Sequence, residues 1–349
     1  MRISQSSTIL NHSKAANLRR VRPIGRWLRH IFLGGVALLL TLTGLIWLAG
    51  TWAKAKLTQQ YPPPGQMIDV GGYKLHLDCR GQGSPTVLLE AGLGDFSVHW
   101  ALVQPAVAQF TRVCAYDRAG LGWSDPSPHP RTSATMVAEL QTLLDKAGES
   151  APYLLVGHSF GGIMMRRFAQ QDPDSVVGLV LVDSAHEAQG DHLPALRNAA
   201  AQLRQQFRLL SRLNAFGLLA LAPTQIPNRG LPAEALAQYR ARLATSAYFD
   251  AASAESEALY PPVENATVPK PAALGHLPLL VLSRGQAAPL PGLTAAENAA
   301  YEQSWRSLQA ELAALSANSQ QMIAEQSGHD IHLQQPVLVI EAIRQLVQR

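Results

Sequence analysis

The sequence predicts an α/β fold: a mostly parallel central sheet with flanking helices and an inserted helical cap, behind a single N-terminal transmembrane helix. Three observations predict it. Short apolar runs with strand character alternate with helix-like runs from about residue 67 to the C-terminus. One such run ends in Gly157-His158-Ser159-Phe160-Gly161 and passes directly into a helix-like segment. Ahead of both, residues 31–50 carry no charge and follow a strongly basic tail.

The tail, residues 1–30, holds Arg2, Lys14, Arg19, Arg20, Arg22, Arg26 and Arg29 and no acidic residue. The net charge of +4 therefore belongs to the tail, and the rest of the chain is slightly acidic. Such a distribution gives no reason to expect nucleic acid as a partner. Twenty apolar residues at helical rise span a hydrocarbon core. Trp27 precedes the segment, and Trp47 and Trp52 lie at its far end, where interfacial aromatics sit. Seven basic residues before the span against Lys54 and Lys56 after it predict a cytoplasmic N-terminus in the cell membrane. Everything from about Ala53 onward is then periplasmic or extracellular. The alternatives are a cleaved signal peptide, for which Ala53-Lys54-Ala55 is a poor cleavage site, and a buried core helix.

Beyond the anchor (31–52), the linker 53–66 contains Tyr61-Pro62-Pro63-Pro64-Gly65, a short stiff spacer. Residues 67–70 and 73–78 read as a hairpin across Gly71-Gly72. Residues 85–90 form a buried strand ending in Ala91-Gly92-Leu93-Gly94, and 112–116 the next, ending in Asp117-Arg118-Ala119-Gly120-Leu121-Gly122-Trp123-Ser124-Asp125. A helix is expected over 133–147, with Val137, Leu140, Leu143 and Leu144 on one face. Strands follow in the apolar run from Tyr153 that ends at the Gly157-to-Gly161 motif, at 176–182 (ending at Asp183), at 277–282 and at 320–325, before a closing helix at 336–347. Strands alternating with helices argue for a parallel sheet covered on both faces. Between Asp183 and Leu277 no strand signal is strong. One amphipathic helix runs on Leu196, Ala200, Leu203, Phe207, Leu210 and Leu213, and another over 232–243. The expected division is a core of 67–186 and 277–349 with a helical cap at 187–276. Such a cap would lie over the C-terminal strand ends, where open α/β sheets bind ligands.

A serine between two glycines on a strand-to-helix turn is what a nucleophile elbow requires. The turn holds the hydroxyl out in a strained geometry, the glycines allow strand and helix to approach closely, and the helix N-terminus favours an anion. Acyl transfer by Ser159 also needs a base, a group that orients the base and donors for the oxyanion. His329 is the best base, since it follows a strand and Ser327-Gly328 and precedes the closing helix; His332 is the rival. His158 neighbours the nucleophile, but its side chain would point elsewhere from the turn.

Ala91-Gly92-Leu93-Gly94, the Asp117-to-Ser124 stretch, Gly157-His158-Ser159-Phe160-Gly161 and Gly328-His329 together resemble the serine-nucleophile, cap-bearing branch of the α/β-hydrolase superfamily, over roughly residues 66–349. The resemblance implies Ser159 as nucleophile, His329 as base and the backbone N–H groups of Leu93 and Phe160 as oxyanion donors. The family often has His-Gly where this chain has Ala91-Gly92, a change that keeps a backbone donor. It also usually places its acid after the strand before the last. Here Leu282 is followed by Ser283-Arg284-Gly285-Gln286-Ala287-Ala288-Pro289-Leu290, with no carboxylate. Asp183, one strand over on the same edge, is the leading acid, and Glu187 and Glu297 are the alternatives. Asp330 is badly placed, and Asp117, Arg118 and Asp125 are expected to brace their loop. If the chain follows the family's strand order, the hairpin's second strand lies antiparallel beside 112–116 and brings Cys79 to Cys114, predicting a disulfide in an oxidising compartment.

The expected function is a membrane-anchored serine hydrolase acting on carboxylic esters or related acyl compounds by an acyl-enzyme mechanism. An acyltransferase or peptidase on the same residues is one alternative, and a non-catalytic hydrolase-fold receptor or scaffold is another. No organic cofactor and no metal is expected, because Cys and His show no ligand spacing and no dinucleotide fingerprint is present. The expected partners are a small-molecule acyl substrate and the membrane, with oligomeric state left open.

Overall fold

The computed structural model describes residues 24–349 apart from Leu193, Thr245, 262–270 and Pro291, so most of the basic tail lies outside the described residues. The chain forms two compact units, Met1–Leu45 and Ile46–Arg349. In the first, the described residues belong to helix α1 (Ile24–Gln60), whose side chains from Trp27 to Leu45 are all exposed. Within it, Thr41 and Thr43 donate back to Ala37 O and Leu39 O at 2.8 Å, so that these hydroxyls are satisfied without water. Trp27–Gln60 is long and apolar enough to cross a membrane.

The second unit opens with β1 (Gln66–Asp69) and β2 (Lys74–Arg80), a hairpin whose turn is closed by Asp69 Oδ1 accepting from Gly71 N and Gly72 N at 2.8 Å. After β3 (Thr86–Glu90), a 3₁₀ turn (Ser97–Trp100) and the short α2 (Gln104–Val107) lead to β4 (Val113–Tyr116). Helix α3 (Ser133–Ala147) begins at the Thr132 cap and ends at Gly148 in the left-handed region. Then come β5 (Tyr153–His158), α4 (Phe160–Gln171) and β6 (Val176–Val182). The stretch between the sixth and seventh strands is helical: α5 (Gln189–His192), α6 (Pro194–Ala215), α7 (Leu218–Leu221), α8 (Ala233–Leu243) and α9 (Ser246–Leu259). The chain finishes with β7 (Leu279–Arg284), α10 (Ala295–Ala313), β8 (Ser319–Ala324), α11 (Ile331–Gln334) and α12 (Pro336–Val347).

The strands form one eight-stranded sheet in the order β1-β2-β4-β3-β5-β6-β7-β8. It is antiparallel across β1, β2 and β4 and parallel from β4 to β8. Alternate residues of the central strands supply two cores. Leu88, Leu155, Leu179, Leu181 and Val281 pack with Leu140, Leu143, Met164, Phe168 and Leu312 of α3, α4 and α10. Val87, Val156, Val180, Val182 and Leu282 pack with Trp100, Val107, Val339 and Ile343 on the other face. Strands buried on both faces explain the unbroken apolar runs in the sequence.

The seventh strand runs two residues later than its apolar stretch suggests, at Leu279–Arg284 rather than 277–282. Pro278 has no N–H to give a ladder, and Ser283 and Arg284 continue the pairing with Ile323 and Ala324. A charged residue can end a buried strand here because Asp183 and Glu302 accept from its guanidinium.

In the β2–β4 pair Cys79 faces Cys114, and the two are joined by a disulfide. The bridge closes a loop with a sequence separation of 35, which by chain-entropy reasoning stabilises the fold by roughly 4 kcal/mol. Thiol titration of the denatured, unreduced protein should find no free thiol. The Cys79→Ser/Cys114→Ser double variant should lose about 3–4 kcal/mol in urea unfolding; an unchanged midpoint would show that the cross-link does not constrain the unfolded chain.

Candidate active site

Among the described residues, only two other than glycine have positive φ: Ser159 at 51° and Asp183 at 39°. Each follows the last residue of a parallel strand, β5 and β6, and such backbone geometry costs of order 1–3 kcal/mol per residue and persists only where neighbours enforce it. They do. Ser159 N donates to Val182 O at 3.1 Å, Ser159 O accepts from Gly162 N and Ala185 N, and Asp183 N donates to Leu282 O at 2.7 Å. The strand-to-helix turn at Ser159 also has no room for side chains. A Cβ on Gly157 would lie 2.6 Å from Gly162 Cα, and one on Gly161 would lie 2.5 Å from Glu90 O.

His329 lies in the loop between β8 and α11. Its Nε2 is 3.0 Å from Ser159 Oγ and its Nδ1 is 2.6 Å from Asp183 Oδ2. A carboxylate only accepts, so Nδ1 carries the proton and Nε2 turns its lone pair to the serine hydroxyl. The Asp183 carboxylate is fully buried, while the imidazole is one-third exposed. Asp183 accepts three further bonds: Oδ1 from Arg284 N (3.1 Å) and Trp305 Nε1 (2.9 Å), and Oδ2 from Arg284 Nη1 (3.0 Å). Burial by itself would raise this carboxyl's pKa. The hydrogen bond and charge of His329, the Arg284 charge and the Trp305 bond outweigh it and hold the group below the ordinary carboxylate value.

The other candidates are engaged elsewhere. Glu187 forms an ion pair with the buried Arg166 at 2.8 Å, and Glu297 caps α10 through Thr294. His332 is buried with its ring against Trp100 and His158. His158 Nε2 donates to His329 O at 3.1 Å, so the neighbour of the elbow serine fixes the backbone of the histidine facing that serine. Asp330 lies 3.8 Å from both His158 Nε2 and Arg229 Nη2. His158, Asp330 and His332 each offer a ligand atom within 4.8 Å of the others, a grouping no sequence spacing announces. The Arg229 guanidinium beside Asp330 opposes a cation there.

The loop carrying Leu93 is clamped from both sides. Arg118 donates to Ala91 O at 2.8 Å and Gly92 O at 2.7 Å, while Glu255 of α9 accepts from Gly94 N at 3.0 Å. Glu255 and Glu90 both pair with the buried Arg118. Next along the chain, Asp95 is paired by Arg229 at 2.7 Å and His99 at 3.1 Å. The N–H groups of Leu93 and Phe160 donate to no protein group among the described residues. Phe160 N is one of the free donors expected at a helix start. Asp117 and Asp125 hold the loop after β4, Asp117 accepting from Ser97 N and Trp123 N and Asp125 from Lys74 N, whereas Arg118 turns to the neighbouring 91–94 loop. Sequence reasoning missed Glu255, Arg229, Arg284 and Trp305. Each lies more than a hundred residues from a partner in this network, so no local spacing could have found it.

The chain matches the α/β hydrolase fold family over residues 85–274 and belongs to it. Among curated relatives, YqjL of Bacillus subtilis is 28% identical over 275 residues, covering 78% of this chain and 88% of that protein. The match to efuK of Hormonema carpetanum is 36% identical over 136 residues, covering 37% of this chain and only 20% of that protein. A thermophilic esterase from Thermogutta terrifontis is 20% identical over 81% of this chain and 96% of its own, with a TM-score of 0.57. The epoxide hydrolase CorEH gives the same identity and TM-score over 80% and 96%. These likenesses show the fold, and the fold hosts more than one chemistry.

The buried histidines make stability depend on pH. Burial, followed by the nearby charge of His329, lowers His158 from an ordinary value of 6.5 to about 4. Below 6.5 the unfolded chain takes up a proton that the folded chain refuses, so stability falls on acidification from about pH 6.5 to about pH 4. The loss from this residue should be roughly 3 kcal/mol, and His332 is shifted in the same direction. Urea unfolding across that window should show the decline, and His158→Asn should flatten it; an equal slope in the variant would remove His158 as its source.

Proposed function

We propose that this protein is a membrane-anchored serine hydrolase that cleaves carboxylic esters or related acyl compounds, with its hydrolase unit on the extracytoplasmic side. The observation that carries the reading is the hydrogen-bonded chain from Ser159 Oγ through His329 to Asp183, set on a positive-φ elbow. Such a chain serves acyl transfer because each member does one task. Asp183 fixes the imidazole tautomer and stabilises the imidazolium. His329 Nε2 takes the Ser159 proton as Oγ bonds to the acyl carbon, and the carbonyl π electrons become an oxyanion facing Leu93 N–H and Phe160 N–H. When the oxyanion collapses, the C–O bond to the leaving alcohol breaks and His329 returns the proton to that oxygen. Water repeats the sequence on the acyl-enzyme, giving the carboxylic acid and free Ser159.

A missing carboxylate after β7 favours a non-catalytic scaffold. What supports the catalytic reading against it is Asp183 at the adjacent strand end, with Arg284, the residue in the vacant place, donating to that carboxylate. Hydrolysis and transfer differ only in the second acceptor, so assays with esters, amides and acyl acceptors separate them.

Ser159→Ala should abolish labelling by a fluorophosphonate probe and lower ester turnover by several orders of magnitude; retained labelling would refute the assignment. Asp183→Asn should keep the fold and cut kcat by on the order of 10⁴, with Glu187→Gln and Glu297→Gln far milder. Near-normal turnover in Asp183→Asn would transfer the role to one of those two.

A further inference from the structure

The end of α1 that belongs to the second unit packs against the α6–α7 corner. Gly50 and Gly217 approach so closely that a Cβ on Gly50 would lie 2.0 Å from Phe216 O and one on Gly217 would lie 2.5 Å from Gly50 C. One turn on, Ala53 is buried with Ala220 and Ala244, and Lys54 Nζ donates to Asn214 O at 2.5 Å. Gly50 also lies near the end of the uncharged stretch that Lys54 closes, between the exposed Trp47 and Trp52. Aromatics in that position mark the membrane–water boundary. The corner touching Gly50 is therefore held at the same boundary.

That corner is apolar on its outside. Leu209 and Leu213, one turn apart on α6, and Phe216, Leu218 and Leu221 beyond it are all exposed. Arg208 and Arg212 are exposed beside the two leucines, and α6 contains no acidic residue. The opposite face of the helix, with Leu196, Ala200 and Asn214, is buried. Leucine and phenylalanine flanked by arginine, without acid, is the composition of helices that lie in the headgroup region of anionic bilayers.

We infer that the outer face of the α6–α7 corner lies in the lipid interface of the membrane that α1 crosses, with its leucines at the acyl boundary and Arg208 and Arg212 among the headgroup phosphates. The inference rests on residues 31–50 crossing a membrane and not on the esterase reading. It sets one edge of the cap against the bilayer, so an acyl substrate dissolved in lipid lies beside the cap.

Full-length protein in vesicles of equal parts phosphatidylcholine and phosphatidylglycerol provides the test. A single added cysteine, Leu209→Cys, Leu213→Cys or Leu218→Cys, carries an environment-sensitive fluorophore; an unchanged urea transition shows that each variant is folded. Labels at all three positions should be quenched by lipid bearing a doxyl group high on its chain and protected from aqueous iodide. A label on Val337→Cys, exposed on α12, should respond to iodide alone, and Arg208→Glu with Arg212→Glu should weaken lipid quenching at position 213. Iodide quenching at all three corner positions would overturn the inference. So would protection that appears only at high protein-to-lipid ratio, which would assign the face to a second copy of the chain. A Leu38→Cys label reads the anchor separately: lipid-quenched, it leaves any failure with the corner alone, and iodide-quenched, it overturns the anchor and the inference together.

Discussion

The Asp183 carboxylate is the charge on which the rest of the site depends. A carboxylate sealed from solvent is tolerated only when its lone pairs are taken and an opposite charge stands beside it. Here His329, Trp305 and both the backbone and guanidinium of Arg284 donate to it. Those donors come from the loop before α11, from α10 and from the end of β7. One side chain thereby ties four segments together and aims an imidazole at Ser159. Glu302 takes the outer edge of the same guanidinium, so Arg284 sits between two acids under the Trp305 ring. The result is an imidazole whose position the fold has already fixed.

A second constraint is the lack of space around the elbow. Ser159 and Asp183 end neighbouring parallel strands, and the hydrogen bond from Ser159 N to Val182 O registers one strained residue against the strand carrying the other. The glycines at 157 and 161 let β5, α4 and the end of β3 meet backbone to backbone. Arg118 then locks the adjoining 91–94 loop by its own carbonyls and hands the opposite side to Glu255. In this way the cap helix α9 contributes to the geometry of a loop in the sheet. Cap and core are joined by buried polar contacts as well as by the packing of Phe96, Trp123, Tyr239 and Tyr248.

The α6–α7 corner extends this logic outward. Its inner side packs on α9 and on the end of α1, while its outer side keeps exposed leucines that nothing in the core requires. A lipid interface satisfies both halves of that pattern. It would also make the two ends of the insertion functionally different, with α9 fixing the site and α6–α7 facing the membrane.

The sequence by itself determined what is written in local periodicity and local turn chemistry. Residues 133–147, 176–182 and 336–347 are read with the bounds the structure has, because each is one period between clear stops. The elbow at Ser159 and the returning His329 were legible for the same reason, as was the absence of an acid after Leu282. Helix α9 was not legible. Its buried residues mix Tyr248, Phe249, Ala251 and Ala252 with Ser253, Glu255 and Ser256, and Glu255 is buried against Arg118, so no clean apolar stripe marks the helix. The position of the seventh strand moved by two residues because Arg284 is neutralised by a residue a hundred positions away. Which carboxylate faces His329 was decided only by the tertiary structure: strand order makes β6 and β7 neighbours and turns the end of one toward the loop after β8. Pairing between distant segments is set by how strands stack, and no single stretch of sequence contains that information.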